Sequence, residues 1–289
     1  MRTALYTSFL PLGGSLGLKQ LHSLGTGLGQ AMWTCLPRRR QETTQNIHAR
    51  LGVDLGTAQD LAKKSFIHSA QAFLEIFHTR YMDPRFLASR VEFENPEFFA
   101  AACSSSRPAL VATAHLGSWE LLVGLMNAGV AKKTCQVIVR LPKDQALASM
   151  IRHMRSQPGI DILGHRDAAT SVLSYLRQNG LSAFLVDHNC QRAEAVFLPF
   201  LGKTAAVNKG PALLALRSKA LVWPLFLLRL PQGKFRLVTL PPLDTITLVG
   251  DRQERIVEIC RFYTQAVEQM VLRYPEQWFW MHRRWKTQP

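Results

Sequence analysis

One short run, Ala109-Leu-Val-Ala-Thr-Ala-His-Leu-Gly-Ser-Trp-Glu120, holds residue types suited to proton transfer. The apolar stretch Ala109 to Ala114 reads as a strand that delivers His115. Gly117 and Ser118 read as a turn that opens a helix, with Glu120 in its first turn. In open α/β sheets the carboxyl end of a strand is where ligands bind. On one continuous helix, residues five apart diverge by about 140°. A strand-end histidine and a glutamate beyond a glycine turn can instead converge. A carboxylate beside an imidazole fixes its tautomer and stabilises the imidazolium. The expected arrangement is His115 as a general base for a hydroxyl or amine, oriented by Glu120. The backbone N–H groups of Gly117 and Ser118, at the helix start, are expected to stabilise a developing oxyanion. Many unrelated chains carry such a pair, so the spacing needs support from elsewhere.

Other local patterns lead nowhere. Gly13-Gly14-Ser15-Leu16-Gly17 matches G-x-S-x-G, but no core strand precedes it to build a nucleophile turn. Gly25-Thr26-Gly27-Leu28-Gly29 lacks both the spacing and the strand of a dinucleotide loop. His68 and His78 read as core-edge histidines, since no carboxylate or thiol stands at metal spacing. Neither a metal nor another cofactor is expected. Five cysteines with no C-x-x-C argue against a zinc site or a disulfide framework and for reduced thiols.

The elements that must position His115 follow an α/β order. Residues 57–80 have amphipathic helical spacing. Strands are expected at 91–94, 109–114, 134–140, 160–163 and 181–187, with helices at 117–129, 143–157 and 167–178. Asn179-Gly180 is a helix stop. A loop containing Pro199 and Gly202 precedes a helix near 207–217. Residues 221–230 and 234–240 read as a hairpin around Pro231-Gln232-Gly233. A helix at 251–273 closes the pattern. Strands separated by helices predict a mostly parallel central sheet flanked by helices.

Composition bounds the partners. The chain has 289 residues, 35 basic against 20 acidic, for a net charge of +15, and is 47% hydrophobic. That excludes a disordered chain and points to an anionic partner: nucleic acid, an anionic membrane, or an acidic protein or substrate. Between Arg2 and Arg38 the only charge is Lys19. The glycine interruptions make this stretch a weak candidate for crossing a membrane. It is expected instead to lie on or dip into a membrane interface, the alternative being an ordinary packed helical hairpin. Arg38-Arg39-Arg40 then reads either as a basic flank or as a solvated turn after Pro37. The expected division is a helical membrane-interface region at 1–40 and a single α/β domain at 41–289.

Ala114-His115-Leu116-Gly117-Ser118-Trp119-Glu120-Leu121 resembles the N-H-L-G-x-W-E core of the bacterial lipid A biosynthesis (late, or secondary) acyltransferases. These lie within the lysophospholipid acyltransferase superfamily that carries a His-x4-Asp/Glu motif. Further segments agree in order: Val139-Arg140-Leu141-Pro142, Val186-Asp187-His188-Asn189, and Val196 to Gly202. The segment Pro275-Glu276-Gln277-Trp278-Phe279-Trp280-Met281-His282-Arg283-Arg284-Trp285-Lys286 is similar to the family's P-E-Q-x-x-W-x-H-R-R-x-K signature. The chain departs at Ala114, where the family usually has Asn.

The resemblance implies a glycerol-phosphate-acyltransferase-like fold and O-acyl transfer to a phosphorylated, Kdo-bearing glycolipid precursor. The implied donor is acyl carrier protein or acyl-CoA, and the implied location is the cytoplasmic face of the bacterial inner membrane. Arg140 would hold a phosphate or head group, and Arg283 and Arg284 would either hold lipid phosphates or serve as structural arginines near the active site. Asp187 is either a second polar group of the site or a cap. Nucleic acid is then not an expected partner. The competing readings are another lipid acceptor, of lysophospholipid or phosphatidylinositol mannoside type, and a non-catalytic basic lipid- or nucleic-acid-binding protein. A hydrolase using the same pair with water is the third.

Overall fold

The computed structural model describes residues 15–125, 135–139, 144–155, 160–164 and 168–289. Ten helices are found there: α1 (Leu18–Cys35), α2 (Pro37–Leu51), α3 (Leu55–Glu75), α4 (Pro84–Arg90), α5 (Pro96–Ser104), α6 (Leu122–Leu125), α7 (Gln145–Arg155), α8 (Ala168–Arg177), α9 (Gly210–Ser218) and α10 (Arg252–Arg273). The strands are β1 (Val91–Glu94), β2 (Ala109–Thr113), β3 (Cys135–Val139), β4 (Ile160–Gly164), β5 (Leu181–Leu185), β6 (Ala195–Phe200), β7 (Lys203–Asn208), β8 (Leu221–Arg229), β9 (Phe235–Thr239) and β10 (Leu243–Asp244).

The main sheet runs β1-β9-β8-β2-β5-β3-β4, with β10 on β8. Strands β8, β2, β5, β3 and β4 are mutually parallel. Only the β8–β9 hairpin and β10 introduce antiparallel pairs. The fold is therefore the expected mixed α/β one, with a mostly parallel sheet between helices. Strand β2 is buried along its whole length, as a central parallel strand must be. Leu110 and Ala112 join the core under α3, α8, α9 and α10. Ala109 and Val111 face the other way, toward Ala102 and Phe98 of α5.

Strand β8 outruns β2. Its first half pairs with β2 as far as Ala112 and Pro224. Its second half, from Leu225 to Arg229, pairs only with β9 among these neighbours. That overhang forms a shelf beyond the end of β2.

Helix α1 buries Leu21, Gly25, Gly29 and Trp33, four residues apart, against α3. A Cβ on Gly25 would come within 2.7 Å of the Gln71 Cα, and one on Gly29 within 2.5 Å of the Ile67 Cα. These glycines thus serve a close helix crossing. Among the described residues no helix is long and apolar enough to cross a membrane.

Several expectations change. Arg38, Arg39 and Arg40 lie in the first turn of α2, which starts at Pro37, so they are not a solvated loop. Pro at the first helical position loses no hydrogen bond. The helix expected over 117–129 is only Leu122–Leu125 among the described residues, because 115–121 is a turn. The loop holding Pro199 and Gly202 is instead the β6–β7 hairpin, closed by Leu201 (φ 49°) and Gly202 (φ 71°).

Candidate active site

His115 leaves the carboxyl end of β2, one residue after buried Ala114. Asp187 leaves the neighbouring strand β5 in the same direction. The two meet side chain to side chain, with His115 Nδ1 at 2.9 Å from Asp187 Oδ1. The His115 backbone N–H donates to Asp187 Oδ2 at 2.9 Å, and Trp278 Nε1 donates to the same oxygen at 2.9 Å. Asp187 is buried, while the His115 side chain keeps 25% of its surface open. The described residues offer its Nε2 no hydrogen-bond partner.

Residues 277–279 run beside the turn like an extra strand. Gly117 N–H donates to the Gln277 carbonyl, Phe279 N–H donates to the His115 carbonyl, and Leu116 bridges Trp278. The Gln277 side chain is also locked to the end of β8 through both the N–H and the carbonyl of Arg229. The ring of His282 sits between the carbonyl oxygens of Asp187 and Phe279. Burial pushes its pKa down to about 4.

Burial works against an imidazolium at His115, but the Asp187 charge and hydrogen bond outweigh it, and the more distant Glu120 adds to them. The His115 pKa is therefore raised above the ordinary value. Burial alone would raise the Asp187 carboxyl. The His115 charge and the donated hydrogen bonds hold it far below the usual carboxylate range. Asp187 stays ionised, fixes the proton on Nδ1 and leaves Nε2 as the basic atom.

Glu120 does not play the orienting part expected of it. Its carboxylate is taken by Arg155 of α7, whose Nε donates at 2.8 Å and whose Nη2 bonds the other oxygen. The carboxylate on the imidazole is that of Asp187. The oxyanion role expected of Gly117 and Ser118 also changes. Both N–H groups are spent on main-chain carbonyls, of Gln277 at 3.1 Å and Leu227 at 2.7 Å. Gly117 is needed for its conformation instead. Its φ is +64°, and a Cβ there would lie 2.2 Å from the Leu227 carbonyl oxygen of the shelf.

The remaining predicted residues scatter. Arg140 lies outside the described residues. Arg283 is exposed, and its charge is felt by Glu42 of α2. Arg284 is 1% exposed, bonded to the carbonyls of Ala206 and His188 and stacked on Phe200, and its Nε has no partner. A core arginine of this kind cannot reach a lipid phosphate. Trp278 and Trp280 are likewise core residues. Among the described residues no cluster of His, Cys, Asp or Glu could hold a metal ion.

Sequence reasoning missed the groups around and beneath the turn. Trp119 and Phe279 flank the His115 ring, with centroids at 5.5 and 6.0 Å. The half-exposed Phe73 of α3 packs edge-on against both. Beneath the turn, Glu75 pairs with Arg229. Glu75 ends an amphipathic helix and Arg229 ends an apolar strand, positions where a charge normally reaches solvent.

A strand-end histidine, held by a buried aspartate and open at its other nitrogen, is equipped to accept a proton from a group that approaches it. The chain belongs to the bacterial lipid A biosynthesis acyltransferase family, whose model matches residues 2–287. It is an acyltransferase. It is similar to the lipid A biosynthesis lauroyltransferase of Escherichia coli (strain K12), at 24% identity over 281 residues, covering 93% of this chain and 86% of that protein. Among solved structures, the 1-acyl-sn-glycerophosphate (LPA) acyltransferase PlsC from Thermotoga maritima aligns with a TM-score of 0.41 at 15% identity, over 86% of this chain and 97% of that one.

Proposed function

We propose that this acyltransferase moves a fatty acyl chain from a thioester, carried by acyl carrier protein or coenzyme A, to a hydroxyl of a lipid A precursor. The observation that carries this reading is the His115–Asp187 pair, with Nδ1 occupied and Nε2 on the open side. Nε2 takes the hydroxyl proton as the oxygen attacks the thioester carbonyl. The tetrahedral intermediate then expels the thiolate, which recovers the proton from the imidazolium. Asp187 stabilises the charged ring throughout and is not itself protonated. Glu120 adds to the field that favours the imidazolium, and its partner Arg155 opposes it in part. The aromatic wall of Trp119, Phe279 and Phe73 suits an apolar chain at the attack point.

Arg140, next in sequence after the end of β3, and the exposed Arg283 are the proposed contacts for acceptor phosphates. The charge of +15 suits an acidic carrier and an anionic lipid. We place the enzyme on the cytoplasmic face of the inner membrane. Helix α1 turns Leu24 and Leu28, 55% and 45% exposed, away from the core, with Arg38 to Arg40 following.

The test is mass spectrometry of lipids from a deletion strain carrying either the wild-type chain or His115→Ala. A glycolipid lighter by one acyl chain, restored only by the wild type, is expected. An unchanged lipid profile, or full rescue by His115→Ala, would overturn the reading.

A further inference from the structure

Behind the catalytic turn lies a set of buried charges that the proton transfer does not use. Glu75, the last residue of α3, is fully buried. Arg229, the last residue of β8, meets it fork to fork, Nε to Oε1 at 2.7 Å and Nη2 to Oε2 at 2.9 Å. Such a pair fixes orientation as well as charge. Burial would raise the Glu75 carboxyl, but Arg229 and His22 together more than offset this and keep it ionised.

The other contacts of this pair reach the turn or the helical layer. Arg229 Nη2 donates to the Gly117 carbonyl at 3.0 Å, and Ser118 Oγ donates to Glu75 Oε1 at 3.1 Å. From α1, His22 Nε2 lies 2.8 Å from the same carboxylate oxygen. His68 Nδ1 accepts from Arg229 Nη1 at 3.1 Å, and burial lowers His68 to about 3, which leaves that nitrogen free to accept.

We infer that the chain His22–Glu75–Arg229 is a positioning device for the acyl-transfer site, one that makes helix α1 part of the catalytic apparatus. The inference rests on the general-base reading above. The peptide joining Gly117 to Ser118 is gripped on both sides, its carbonyl by Arg229 and its N–H by the Leu227 carbonyl. His115 lies two residues before that peptide and Trp119 one residue after it. A buried ion pair is weak evidence for stability, because desolvation offsets its attraction. Its placement against the turn gives it a reason in catalysis. A misplacement of about 1 Å at such a site can cost on the order of 100-fold in rate.

The test uses the purified full chain in detergent. The donor is whichever thioester, of acyl carrier protein or coenzyme A, the wild type accepts, and the acceptor is the glycolipid from the deletion strain. Glu75→Gln is expected to lower kcat about 10- to 100-fold with KM within about twofold. His22→Leu and Ser118→Ala, which leave the Glu75–Arg229 pair in place, each lose one hydrogen bond and should lower kcat about 3- to 10-fold. The acid-limb midpoint of the pH profile should stay at its wild-type position in all three, since Asp187 sets it. Should Glu75→Gln not fold, the two milder variants decide. Wild-type kcat per folded molecule in both, or a shifted acid limb, overturns the inference. A wild type no faster than His115→Ala overturns the general-base reading and takes this inference with it.

Discussion

Asp187→Asn separates the two carboxylates near His115. The wild-type side chain accepts three N–H groups, two from His115 and one from Trp278, and is buried. Asn fits the same space. Its oxygen can keep the two donors that share Oδ2, and its NH2 then faces His115 Nδ1. That nitrogen must become the acceptor, the ring proton moves to Nε2, and the basic atom is lost. The same change behind the histidine of a Ser-His-Asp triad costs about 10⁴ in kcat. At about 1.4 kcal/mol per decade this is roughly 5.5 kcal/mol, and a loss of about 10³ to 10⁴ is expected here. The pH profile gives a second, independent readout. The base must be neutral, so wild-type kcat should climb with pH through a midpoint above about 6.5, because the Asp187 charge overcomes burial. With that charge gone burial is opposed only by the more distant Glu120, itself partly offset by Arg155, and the midpoint should fall below its wild-type position while the plateau falls. The assay is transfer of labelled acyl chain, followed from about pH 5 to pH 9. An Asp187→Asn enzyme with the wild-type plateau, beside a Glu120→Gln enzyme that has lost it, would refute the reasoning and return the orienting role to Glu120.

Other outcomes follow from the same geometry. Glu120→Gln strands the mostly buried Arg155 and should cost about 3 kcal/mol in urea unfolding. Gly117→Ala must put a Cβ into the Leu227 carbonyl, so a loss of more than about 3 kcal/mol in the same experiment is expected. Arg284→Met should change the thermal midpoint but leave the acceptor KM within about twofold, whereas a large rise in KM would mean that the guanidinium reaches substrate. The stability of the dyad should also depend on pH. The His115 contribution is full below about 6.5 and fades as pH rises through its raised folded value. The Asp187 contribution is present above about 4 and fades as pH falls through its lowered one. Unfolding midpoints of Asp187→Asn should show a flatter pH dependence than wild type.

The strand that carries His115 was legible because a central parallel strand is apolar along its length, and Ala109 to Ala114 is, but for Thr113. The stop at Asn179 was legible because few residues adopt a positive φ there. The β6–β7 hairpin was not, since its turn uses Leu201 where Asn or Asp is usual and Pro199 sits within the strand. The partner of His115 was hidden by sequence distance. Glu120 is five residues away and Asp187 seventy-two, and spacing favours the near one. The basic, aromatic C-terminus carried a strong family pattern but no sign of which side faces water. Gln277 and Trp278 turn inward to hold the turn and the aspartate, and Arg284 turns inward to brace β7. The family resemblance left Arg284 either a lipid-phosphate or a structural place, and its burial favours the second.

The shelf made by the overhang of β8 bears on how the protein folds. The turn at His115 rests on Leu227 and Arg229, takes its carboxylate from residue 187 and is closed by residues 277–279. The contacts that hold it in place are long-range, and loop-closure entropy opposes each of them until the sheet exists. The site should therefore assemble last on refolding, with activity returning only after helical structure is complete. Enzyme turnover would then serve as a late clock for folding, one that secondary-structure probes run ahead of.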